Sequence, residues 1–150
     1  MEPQPEREAQ REFDRARMAL AAQNTVAALA HLERALKLRD NPGWYSHLGV
    51  CIAKERGQMK RGLDLCREAL ERERDNPVHY LNLGKVLLIA GNRAEALQAL
   101  REGMAHGGSE EILAKLDELG TRKPPVIASL SRDHFLNKYL GLLLSRLGLR

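Results

Sequence analysis

Apolar residues recur along this chain at a fixed interval of 34 positions. Ala28, Gly62 and Ala96 share one register, and so do Leu29, Leu63 and Leu97. Three more registers follow: Leu32, Cys66 and Leu100; Ala35, Ala69 and Gly103; Leu36, Leu70 and Met104. Within each copy, the small residue, the apolar residue four positions on and the small residue three beyond that fall on one helical stripe. The small residues let that helix sit close to a partner, and the larger ones fill the space between. The preceding helix repeats too. Tyr45-x-x-Leu48-Gly49 returns as Tyr80-x-x-Leu83-Gly84, and Asn41-Pro42 returns as Asn76-Pro77. The interval there is 35, which places one extra residue in the turn near Arg56-Gly57-Gln58, whose counterpart is Ala90-Gly91-Asn92. Glycine in these turns supplies a left-handed helix stop. Proline just inside the next helix costs no hydrogen bond. Gly49, Gly62 and Gly84 read as points of close helix approach, where an added side chain would overpack.

The pattern divides the chain. Residues 1–5 form a polar lead. Three helix–turn–helix copies occupy about 6–41, 42–76 and 77–109. The first helix of the first copy, about 6–22, has Ala16 near the glycine position, but Glu12 and Arg15 stand where Tyr and Leu stand in the other copies. Terminal copies of stacked repeats often depart in this way, because one face meets water. His106-Gly107-Gly108-Ser109 reads as a helix stop and an N-cap. A capping helix is expected over 110–120, with Ile112, Leu113, Leu116 and Leu119 as its stripe and Gly120 as its end. Residues 121–130 contain Pro124-Pro125 and predict an extended linker. A basic amphipathic helix is predicted over 131–150, with Phe135, Leu136, Tyr139, Leu140, Leu143, Leu144 and Leu147 on one face.

These motifs carry a resemblance. Tyr80, Leu83, Gly84, Leu87, Ala96, Leu100 and Gly103, and before them Tyr45, Leu48, Gly49, Ile52, Gly62, Cys66 and Ala69, match the W-x₂-L-G-x₂-Y and A-x₃-F pattern of the tetratricopeptide repeat (TPR) family. The first copy matches in its second helix only, through Ala28, Leu32 and Ala35. The chain resembles a small bacterial-type TPR protein with a basic amphipathic tail. The resemblance implies an all-α, right-handed solenoid of about three repeats, closed by the capping helix and followed by the C-terminal helix. It also implies that the first helices of the repeats line a groove that binds a protein segment. The positions it assigns to that groove are Phe13, Arg17 and Leu20, then Ser46, Val50, Ala53 and Lys54, then Val78, Leu81, Lys85, Leu88 and Ile89. For Val50, Leu81, Leu88 and Ile89 the competing reading is packing between neighbouring repeats. Chaperone-binding members hold a terminal carboxylate with Lys, Arg and Asn. Here Phe13, Arg17, His47, Val78 and Asn82 stand at those positions, so terminal-carboxylate capture is not expected. The groove would suit an apolar or amphipathic segment with an acidic edge.

Charge alters this picture in one place. The chain carries a formal net charge of +4, yet residues 120–150 hold six Lys or Arg against the single acid Asp133. A basic, Leu-rich tail raises an alternative of membrane-surface or anionic-surface association, or of self-association through that helix. Nucleic-acid binding is not expected, because the basic residues form no stripe with interleaved aromatics. His31, His47, His79, His106 and His134 show no sequence spacing that would make a metal site, and they read as surface or groove residues. Cys51 and Cys66 lie in helical patterns without metal spacing and read as small buried apolar residues. The expectation is a non-enzymatic adaptor, scaffold or chaperone-like module without cofactor or metal. The polar N-terminus has no signal-peptide core, so a cytoplasmic location is expected.

Overall fold

Asparagine and glycine punctuate the chain where the backbone must stop and restart. In the computed structural model, which describes residues 3–120, 142 and 144–148, seven helices follow in order. They are α1 (Gln4–Ala21), α2 (Thr25–Leu38), α3 (Tyr45–Arg56), α4 (Met59–Arg72), α5 (Pro77–Ile89), α6 (Arg93–Ala105) and α7 (Glu110–Glu118). A single 3-10 turn, Pro42–Trp44, leads into α3. The Asn24 side chain caps α2 by accepting from Ala27 N at 3.1 Å, and Asn76 caps α5 by accepting from Val78 N at 3.0 Å. Pro77 opens α5 as predicted. Pro42 does not open α3: it starts the 3-10 turn, with Asn41 Oδ1 accepting from Gly43 N at 3.0 Å, and the α-helix begins three residues later.

The hairpin turns repeat with the 34-residue period. Gln23 has φ 59°, Gly57 φ 65° and Gly91 φ 79°, so the same left-handed residue turns the chain in each copy. Glycine adopts it without strain, whereas Gln23 carries a β-carbon in a region L-residues avoid.

Helices α1 and α2, α3 and α4, and α5 and α6 pack as antiparallel hairpins, and α3 also packs on α2 and on α5. The periodic stripe forms the interior: Ala28, Gly62 and Ala96, then Leu32, Cys66 and Leu100, then Ala35, Ala69 and Gly103 are all buried. The α3–α4 approach is the tightest. A β-carbon on Gly49 would lie 2.6 Å from the Gly62 carbonyl oxygen, and one on Gly62 would lie 2.8 Å from that of Gly49. The two backbones touch where the sequence carries glycine on both sides. α7 is capped by Ser109 Oγ, which accepts from Ile112 N at 3.2 Å. Its fully buried Ile112 seats at Gly103 of α6.

The chain divides into two units at Lys115 and Leu116. In the second, Gly120 has φ 68°, and Leu142 and residues 144–146 are helical. Leu147 and Gly148 form a turn, with Gly148 at φ 70°, so Leu147 leaves the helical stripe predicted for it. Phe135, Leu136, Tyr139, Leu140, Leu143 and the linker 121–130 lie outside the described residues. Among the described residues, no helix is long and apolar enough to cross a membrane.

Candidate partner-binding face

The first helices of the hairpins, α1, α3 and α5, carry every groove position read from the sequence, and the structure sorts those positions by depth. Phe13, Ser46, Val50 and Leu81 are buried, as is Ala53. They lie beneath the surface of these helices. For Val50 and Leu81 the interior alternative is therefore the one observed. Val50 packs with Ala53, Cys66 and Val86 between hairpins. Leu20, Lys85 and Leu88 are half-buried, and Arg17 and Lys54 are exposed. Val78 and Ile89 are each 39% exposed, so the apolar surface on offer comes from the two ends of α5.

Phe13 is held in place by Trp44, a residue the repeat pattern does not single out. The two rings stack 4.6 Å apart at 11°, and Phe13 meets His47 nearly edge-on at 5.1 Å. This aromatic contact ties α1 to α3. Next to Phe13 on α1, Glu12 stands where the other copies carry Tyr. Its carboxylate, though buried, accepts from Arg15 at 2.7 Å and pairs with His31 Nδ1 at 2.7 Å. The His31 hydrogen bond outweighs desolvation and holds the Glu12 carboxyl below its ordinary 4.5.

Of the described histidines, His106 is exposed and His31 and His47 are half-buried, as surface or groove residues would be, whereas His79 lies in the interior. His31 pairs with Glu12, His79 with Glu73 at 2.6 Å and His106 with Asp75 at 3.3 Å. Each carboxylate comes from another helix or a preceding turn, which sequence spacing does not reveal. His79 is wholly buried. Its Nδ1 accepts from Ser46 Oγ at 2.7 Å, its Nε2 donates to Glu73, and Asn82 Nδ2 donates to Ser46 Oγ at 2.9 Å. The order Ser–His–Glu is that of a hydrolytic triad, but Ser46 has no exposed surface, and its hydroxyl is engaged on both sides. The network joins α3, α5 and the turn before α5. It satisfies buried polar groups that would otherwise cost about 1–3 kcal/mol each.

Cys51 and Cys66 are buried free thiols, and burial pushes both up to about 12. At neutral pH they carry no thiolate and behave as small apolar residues. Among the described residues no group of three or more His, Cys, Asp or Glu is placed to hold a metal ion.

Each of the three helices contributes a cation to the face. Arg17 projects from α1, Lys54 from α3 and Lys85 from α5, and Lys85 reaches Glu111 at 3.4 Å. At their centre His47 is driven down to about 4, first by burial and then by His79, Arg17 and Lys85. It is neutral at physiological pH.

No family model matches the sequence, and no curated protein matches it either. Among solved structures, the fold is similar to the crystal structure of the Sgt2 TPR domain from Aspergillus fumigatus. The likeness covers 85% of this chain and 90% of that one, at 18% identity and a TM-score of 0.56. At that identity the comparison speaks for architecture, and this chain has a TPR-like, all-helical fold.

Proposed function

We propose that this protein is a non-enzymatic protein-interaction module, an adaptor, scaffold or chaperone-like protein, that binds a partner segment on the face of α1, α3 and α5. The observation that carries the reading is the composition of that face. Half-buried and exposed apolar side chains (Leu20, Val78, Leu88, Ile89) lie with exposed or half-buried cations (Arg17, Lys54, Lys85) over a fully packed floor. Amphipathic segments bind such surfaces through a few apolar anchors, with charge setting orientation. The triad-like set of Ser46, His79 and Glu73 is closed to substrate, which favours binding over catalysis. A cytoplasmic, bacterial setting is part of this reading.

The test is paired capture. Arg17→Glu with Lys85→Glu reverses charge on the face, and Lys60→Glu reverses charge on the exposed side of α4. A partner lost from the first variant and kept by the second supports the reading. A partner kept by both moves the site elsewhere.

The second reading, tail-mediated association with a membrane or with another copy, is favoured by the basic composition of 120–150 and by the exposure of Leu142 and Leu147. Sedimentation with anionic vesicles at low salt, beside the oligomeric state in solution, tests it.

A further inference from the structure

His47 is an imidazole the fold leaves incomplete. Its Nδ1 is enclosed and has no hydrogen-bond partner, a state that the other buried side-chain polar atoms among the described residues avoid. The ring is fixed by Phe13 at 5.1 Å and by His79 at 6.5 Å, both nearly perpendicular to it, while the residue as a whole keeps some exposed surface. A neutral imidazole carries one proton. An enclosed N–H without an acceptor is rarer and costlier than an enclosed lone pair. The proton therefore belongs on Nε2, which makes that atom a donor.

The groups acting on this donor share one sign. From α1 comes Arg17, and from α5 comes Lys85. On His47's own helix, Lys54 is exposed on the same set of positions. Glu73 is engaged with His79 Nε2, and Glu111, from α7, with Lys85. Burial and these cations keep His47 neutral, pushed down to about 4. The centre of the face is thus an N–H donor in a positive field, with apolar Leu88 and Ile89 further along α5.

We propose that this centre receives an Asp or Glu side chain carried within an apolar segment of a partner protein, with His47 as donor and Arg17 and Lys85 as the flanking cations. The inference rests on the reading of the α1–α3–α5 face as the binding surface, and it names the chemistry of the occupant. Charge complementarity selects the acid. The apolar ends of α5 select its neighbours in the segment. A Glu111 carboxylate already on Lys85 sets the competing contact that the partner's acid must displace or share.

The experiment selects peptides from a displayed random library in which each peptide is flanked on both sides, so that no free terminus is offered. The enriched peptide is synthesised with amidated ends, in its own sequence and with its acid replaced by the amide. Enriched peptides are expected to carry Asp or Glu among apolar residues. Acid-to-amide replacement should weaken binding on the order of tenfold or more, as for loss of a charge-assisted contact. Arg17→Ala and Lys85→Ala, checked for helicity, should each shrink that difference, and His47→Phe should as well, while Lys60→Ala should leave it intact. Enriched peptides that bind the face equally well without an acid would overturn the inference and leave the binding reading standing. Enrichment that survives every substitution on the face, or none at all, would overturn both.

Discussion

The contact of Gly49 with Gly62 makes Gly49→Ala the most informative single substitution for the fold. In an open helix this change gains stability, because alanine restricts the unfolded chain and favours helix by about 1 kcal/mol. Here the new β-carbon would sit 2.6 Å from the Gly62 carbonyl oxygen and 3.1 Å from Cys66 Sγ, where ordinary contact begins near 3.4 Å. A backbone carbonyl cannot rotate aside, so α3 and α4 must separate, and the packing of Cys66 and Ala53 loosens with them. Overpacking of this kind costs about 1–3 kcal/mol. A clash with rigid backbone at 2.6 Å falls in the upper half of that range, about 2–3 kcal/mol, so after the propensity gain the net loss is about 1–2 kcal/mol, or about 2–8 °C in Tm for a chain of this size. Gly84→Ala is the matched comparison. Its β-carbon would meet the Leu100 side chain, at 2.9 Å from one methyl, and a methyl can move. Thermal and urea unfolding followed by circular dichroism should place Gly49→Ala clearly below Gly84→Ala. A Gly49→Ala protein as stable as the parent would refute the reasoning, since it would mean that the two backbones do not touch.

Three further predictions follow from named residues. Gln23→Gly relieves the left-handed strain that Gly57 and Gly91 avoid in the same turn, and should raise stability by about 1 kcal/mol in the same unfolding assay; a loss would show that the Gln23 side chain contributes more than its backbone costs. Ser46→Ala strands His79 Nδ1 and Asn82 Nδ2 in the interior and should cost about 1–3 kcal/mol; a neutral effect would mean that water takes the place of the hydroxyl. His47, held at about 4 against an ordinary 6.5, is protonated first in the unfolded chain. Its contribution is therefore intact above pH 6.5 and is lost as the pH falls toward 4, by up to roughly 3 kcal/mol. His47→Gln should flatten the stability profile across that window. The Glu12 contribution, present above its ordinary 4.5 and lost only as the pH falls through its lowered folded value, remains.

The helices, their pairing and their turns were legible because each is specified locally or by repetition. Asn76-Pro77 opens α5, Gly57 and Gly91 turn the chain, and the 34-residue registers name the interior of α2, α4 and α6, whereas the Asn24 cap and the left-handed Gln23 of the first copy carry no such signal. The face was legible only in part. Sequence position names the helices proposed to carry it, but it does not distinguish a side chain that lies on the surface from one beneath it. Ser46 and His79 are polar and sit in the interior because Glu73 and Asn82, from other parts of the chain, complete their hydrogen bonds. Phe13 lies in the core because Trp44, outside the repeat pattern, stacks on it. The role of Glu12 in place of Tyr likewise depends on His31 from α2. Such pairings are tertiary, and a single sequence holds no local signal for them. One trace was available for His47: a histidine set among positions that otherwise carry Arg17, Lys54 and Lys85.

The central claim is that a protein partner lies on the face of α1, α3 and α5. The most direct measurement is site-specific photo-crosslinking in cells, with the reactive residue placed at Ile89 on that face or at Lys60 on α4. Ile89 should yield a discrete crosslinked partner, Lys60 should not, and Arg17→Glu with Lys85→Glu should abolish the Ile89 product. A crosslink from Lys60 with none from Ile89, or an Ile89 product indifferent to the charge reversals, would contradict it.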